Sequence, residues 1–136
     1  MTKILLVEDS KFLRLATERA LARTGYDVSS AADGDEALSM ARAKLPDLIL
    51  LDMLLPKVSG LEVLKSLKKD PLTMSIPVVV MTGMSQKNAA KLQEDGAVGF
   101  LEKSALELDK GSEKLITAVR DILANLPAEQ ARKTTA

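Results

Sequence analysis

Short apolar runs alternate along this chain with longer stretches whose apolar residues recur at helical spacing. Residues 3–7 (KILLV), 48–51 (LILL) and 77–82 (PVVVMT) are dominated by Leu, Ile and Val with little polar alternation. That is the pattern of strands covered on both faces. Residues 26–31 (YDVSSA) alternate weakly, as an outer strand does, and residues 98–103 (VGFLEK) make a fifth strand. Between them lie helical patterns. The first starts at the Ser10 signal, carries Leu13, Ala16, Ala20 and Leu21, and stops near Gly25. The second (DGDEALSMARAKL) has Ala37, Leu38, Ala41 and Leu45 on one face, with acids in its first turn where the helix dipole favours them. A third, from about Gly60, shows Val63, Leu64 and Leu67 and ends before Asp70-Pro71. A fourth (SQKNAAKLQEDG) has a thin apolar face of Ala89, Leu92 and Ala90. The last (SEKLITAVRDILANL) is strongly amphipathic through Leu115, Ile116, Val119, Ile122 and Leu123. Strand and helix therefore alternate five times, which predicts an α/β fold with a parallel sheet covered on both sides and right-handed crossovers.

The length, 136 residues, suits one domain. Residues 1–126 are expected to form it and the polar stretch 127–136 a fraying tail. Lys and Arg together number 19, as do Asp and Glu, so the net charge is zero. No long-range attraction to nucleic acid or to an anionic membrane is built in, and neither is expected as a partner. The absence of Cys removes disulfides, thiolate metal sites and cysteine nucleophiles; the absence of His removes histidine bases, ligands and phosphodonors. The residues before the first acidic pair are too few for a signal peptide, and no apolar run approaches the ~20 residues of a membrane span. A cytoplasmic protein is expected.

In an open α/β sheet, ligands bind beyond the C-terminal ends of the strands. There the chain places Glu8 and Asp9 after the first strand, Asp52 after the third, Thr82 after the fourth and Lys103 after the fifth. Singly, each has a bland explanation. Asp9 or Ser10 is a possible N-cap, Thr82 a good strand former, Lys103 a solvated end and Phe100 plain core; Pro56 and Gly60 are ordinary loop punctuation. Asp52 is the least comfortable, because it closes a run that otherwise reads as buried. Jointly, three negative charges and one positive share one rim. Like charges at 4 Å repel by about 4 kcal/mol at an effective dielectric near 20, and a divalent cation brings the sum to zero. Few carboxylates, completed by water and a backbone oxygen, suit Mg²⁺ better than Ca²⁺.

The stretches VEDS, LLDMLLPKVSG, VMTG and GFLEK resemble the receiver domain of two-component response regulators, over roughly residues 2–126. The resemblance implies a flavodoxin-like, doubly wound five-stranded parallel sheet of order 2-1-3-4-5 with five helices. It implies that Asp52 is the phospho-acceptor, and that Asp9, Asp52 and the Met53 carbonyl ligate Mg²⁺ with Glu8 acting through water. Thr82 and Lys103 would take phosphoryl oxygens, with Gly83 the small residue beside them, and Leu54 would flank the phosphoryl group, as would Met84. Thr82 and Phe100 would form the switch. The implied function is that of a stand-alone receiver, which is not a turnover enzyme. It would be phosphorylated by a sensor histidine kinase or histidine phosphotransfer protein and signal by binding a downstream protein target. Where the family has Pro after the lysine, this chain has Ser104, in a longer connection (SALELDKG). A trans Lys103–Ser104 bond is expected, with Ala105, Leu106 and Leu108 packing as a short helical turn.

Three other functions fit these residues less well. A nucleotide or flavin site needs a phosphate-binding loop after the first strand, where EDSKFLR is acidic. An aspartyl phosphatase needs a second acid two residues after Asp52, where Leu54 stands. A degenerate receiver serving only as an interaction module has no need of the full residue set.

Overall fold

A computed structural model of the chain describes residues 2–53, 55, 58–82, 93–103, 111 and 113–126. Strands β1 (Lys3–Val7), β2 (Asp27–Ala31), β3 (Leu48–Asp52), β4 (Val78–Thr82) and β5 (Gly99–Glu102) form one sheet of order β2-β1-β3-β4-β5, every pairing parallel. Among the described residues the helices are α1 (Lys11–Arg23), α2 (Gly34–Lys44), α3 (Gly60–Lys69) and α4 (Glu113–Ala124). The expected helix over 85–96 falls mostly outside the described residues, apart from helical Gln93 and Glu94. Leu54, Pro56, Gly83, Met84, Ser104 and its bond to Lys103, the 105–108 turn and residues 127–136 also lie outside them.

Strand alternation splits the core in two. Leu5, Val7, Ile49, Leu51, Val78 and Val80 face α2 and α3, packing on Ala37, Ala41, Val63, Leu64 and Leu67. Ile4, Leu6, Leu48, Leu50, Val79 and Met81 face the opposite side and pack on Leu21 of α1 and Leu115 and Val119 of α4. Both faces of β3 and β4 are fully buried, which is why their sequences are unbroken apolar runs.

Local signals set the helix ends. The Ser10 side chain accepts from Leu13 N–H at 3.4 Å, so Ser10 caps α1 and Asp9 is left for other work. Asp33 and Ser59 cap α2 and α3 in the same way. Gly25, just past α1, takes φ +107°. Two details depart from the helical spacing. In α1 it is Thr17, with Ala20 and Leu21, that is buried, while Ala16 faces out. Leu45 does not join the α2 face: it ends the helix in the left-handed conformation (φ 47°, ψ 62°) and is half exposed. Its N–H still reaches Ala41 O, but Pro46 follows and turns the chain into β3.

Candidate functional site

Four strand ends meet at one rim of the sheet. Asp52 is the last residue of β3 and Glu8 directly follows β1; they are 2 % and 3 % exposed. Burying two carboxylates is costly unless each is paired. Lys103, just past β5, supplies the pairing: its Nζ donates to Glu8 Oε1 and to Asp52 Oδ2, each at 2.9 Å. By strand alternation Glu8, Asp52 and Lys103 follow the set of Leu6, Leu50 and Leu101, on the α1/α4 side. Thr82 follows Val78 and Val80 to the other side, where Phe100 packs half-buried. Thr82 is buried in register with Glu102, and Phe100 lies opposite Val80, one step along the same face.

Asp9 is exposed, and its carboxylate joins those of Glu8 and Asp52 with ligand oxygens within 4.8 Å of one another. Burial raises the Glu8 carboxyl above its ordinary value, and the Asp52 carboxylate adds to the rise; Lys103 opposes both and does not cancel them. For Lys103, burial alone would lower the ammonium, but the hydrogen bonds to Asp52 and Glu8 outweigh it and the net shift is upward. One lysine thus serves two buried carboxylates and leaves the acid group short of positive charge. Three converging carboxylate oxygens, one of them solvent-facing, fit a hard divalent cation that keeps part of its water shell. The Met53 carbonyl accepts from Gly60 N–H at 3.2 Å, and a carbonyl oxygen has a second lone pair for a metal.

Two contributors escape sequence inspection. Gly60, which reads as loop punctuation, sits directly under the site: a Cβ there would lie 2.5 Å from Met53 Cα and 2.6 Å from Asp52 O. Arg14, on the first turn of α1, donates through Nη1 to Glu8 O at 2.9 Å and Asp9 O at 3.4 Å. An arginine one turn into a helix after an acidic pair is the only signal, and it is weak without the geometry.

Residues 4–119 match the model of the response regulator receiver domain family. Over 103 residues the chain is 42 % identical to the response regulator PleD of Caulobacter vibrioides, covering 74 % of this chain and 22 % of that protein. It is 37 % identical over 105 residues to the polar-differentiation response regulator DivK of Brucella ovis, covering 76 % of this chain and 85 % of DivK. The chain thus spans only about a fifth of PleD but most of DivK. The chemotaxis response regulator CheY4 of Vibrio cholerae superposes with a TM-score of 0.80 at 29 % identity, over 90 % of this chain and 98 % of that one.

Proposed function

The chain belongs to the response regulator receiver domain family, and from that premise we propose that it is a phosphorylation switch whose acceptor is Asp52. The observation that carries the reading is the buried Asp52 carboxylate at the rim, held at 2.9 Å by a lysine from the end of β5 that also binds Glu8. An Asp52 oxygen attacks the phosphorus of a phosphohistidine on a sensor histidine kinase or phosphotransfer protein. A P–O bond forms, the P–N bond breaks, and the departing imidazole nitrogen keeps the electron pair and takes a proton. Lys103 already lies against the accepting carboxylate, and its ammonium turns to a phosphoryl oxygen as the acyl phosphate forms. Thr82, at the end of the adjacent strand, offers its hydroxyl to another. Glu8, Asp9, Asp52 and the Met53 carbonyl would hold Mg²⁺, which when bound would screen the charge of the transferring group.

The phosphoryl group draws Thr82 toward β3, and Phe100, on the same face one step along β5, moves into the space released. That repacking presents the altered surface to a downstream protein partner. No described helix is long and apolar enough to cross a membrane. The test is incubation with Mg²⁺ and acetyl phosphate followed by intact mass. One added phosphoryl group is expected, absent in Asp52→Asn and absent when EDTA removes the metal. Unmodified wild-type protein would overturn the proposal and favour a phosphorylation-independent interaction module, and modification that persists in Asp52→Asn would overturn Asp52 as the acceptor.

A further inference from the structure

Arg14 lies outside the acceptor and ligand set, yet it is bonded to the backbone that carries both acids of the β1–α1 connection. Glu8 N–H still donates to Ala31 O at 3.1 Å, so Glu8 extends the β1–β2 pairing one residue beyond the strand. The Arg14 guanidinium lies beside the backbone that follows, with Nη1 at 2.9 Å from Glu8 O and 3.4 Å from Asp9 O. On the other side, Ser10 N–H donates to Glu8 Oε2 at 3.3 Å. The connection is therefore held at both carbonyls and at the Glu8 carboxylate.

We infer that Arg14 is a positioning residue for the cation site, fixing the Glu8 and Asp9 peptide units so that their carboxylates converge with that of Asp52. This rests on the proposed Mg²⁺ role of that acidic group. Two effects of Arg14 have opposite signs. As a positive charge close to the acids it disfavours a cation; as a bracket on their backbone it favours one by sparing the cost of ordering the connection. The bracket is expected to be the larger effect, because the guanidinium is bonded to the Glu8 and Asp9 carbonyls, which belong to the segment that carries two of the three carboxylates.

The experiment is a Mg²⁺ titration of the full chain, followed by amide NMR shifts of residues 8–14 and 52, for wild type, Arg14→Ala and Arg14→Lys. Phosphorylation rates from acetyl phosphate are measured in parallel across Mg²⁺ concentrations. Loss of an outer-shell partner weakens metal binding by about tenfold or more, and that is expected for Arg14→Ala. At saturating Mg²⁺ its phosphorylation rate should return close to wild type, a split that general loss of structure would not produce. Arg14→Lys should fall between, since a single ammonium is a poor bracket for two carbonyls. Mg²⁺ affinity equal to or tighter than wild type in Arg14→Ala would overturn the inference while leaving the proposed function standing. Wild type that binds no Mg²⁺ would overturn both. Should Arg14→Ala not fold, Arg14→Lys decides the matter, and wild-type affinity in it is the refuting result.

Discussion

Replacing Gly60 with alanine sets two effects against each other, and their sizes predict which prevails. Gly60 is the first residue of α3, and its N–H donates to Met53 O. Alanine is the better helix former, by up to about 1 kcal/mol in a helix interior and less at a first position. Against this, the new Cβ would stand 2.5 Å from Met53 Cα, 2.6 Å from Asp52 O and 3.1 Å from Met53 C. These are backbone atoms, so no rotamer relieves the contact. Carbon atoms pack comfortably from about 3.5 Å, so the segment must retreat by about 1 Å. Overpacking of this kind costs about 1–3 kcal/mol, which leaves a net destabilisation of about 1–2 kcal/mol after the helix gain. In a thermal melt that lowers Tm by about 3–8 °C. The retreating atoms belong to the proposed acceptor and to the carbonyl proposed as a metal ligand. A displacement near 1 Å can cost a factor on the order of a hundred in rate, so phosphorylation from acetyl phosphate should fall by roughly ten- to a hundredfold. Gly99→Ala is the control, since a Cβ there meets nothing within 4 Å. If Gly60→Ala melted at or above wild type and accepted phosphate at the wild-type rate, the close-approach argument would be wrong.

Lys103→Met removes the ammonium shared by two nearly inaccessible carboxylates, and its cost should lie toward the lower end of about 3–5 kcal/mol because the lysine side chain is itself a quarter exposed and Glu8 keeps the Ser10 N–H. Urea unfolding measures this, and adding Asp52→Asn should restore much of the loss; an additive double mutant would contradict the pairing. Glu8→Gln should stabilise the metal-free protein at neutral pH. The folded Glu8 carboxyl titrates above 4.5, so the folded state holds its proton more tightly than the unfolded chain. Stability therefore falls as pH rises through the window from 4.5 to that raised value, and the advantage of Gln should vanish as pH drops back through it. A stability difference independent of pH would count against this account. Leu45→Asn should stabilise by about 0.5–1 kcal/mol, because a residue with Cβ pays about 1–2 kcal/mol in the left-handed region and Asn tolerates it best after Gly. A lower denaturation midpoint would show that the half-exposed Leu45 side chain contributes more than its strain removes.

The order of strands and helices was legible because β3 and β4 are buried on both faces and each apolar run is bounded by polar residues. The same burial hides orientation: in LILL every position is apolar, so nothing in the letters says that Ile49 faces α3 while Leu50 faces α4. Leu45 misleads in a different way. Its spacing continues the α2 stripe, but the helix ends there and backbone direction, not periodicity, decides where the side chain goes. At the site, the acids and the lysine announce themselves as polar residues directly after apolar strands. Gly60 and Arg14 do not, because a close approach and a bond to a carbonyl depend on atoms brought together only by the fold.

The bond between Lys103 and Glu8 joins residues 95 apart in the chain. Closing a loop of that length costs about 4 kcal/mol beyond the constant term, so this contact belongs late in folding, after the neighbouring strands have paired. Until β5 docks, Asp52 and Glu8 face each other without their cation. A chain emerging from the ribosome can complete β1 to β4 and still lack a neutralised pocket. The pairing of these two carboxylates is then a property of the finished molecule alone, because the lysine that completes it arrives from the last strand of the sheet.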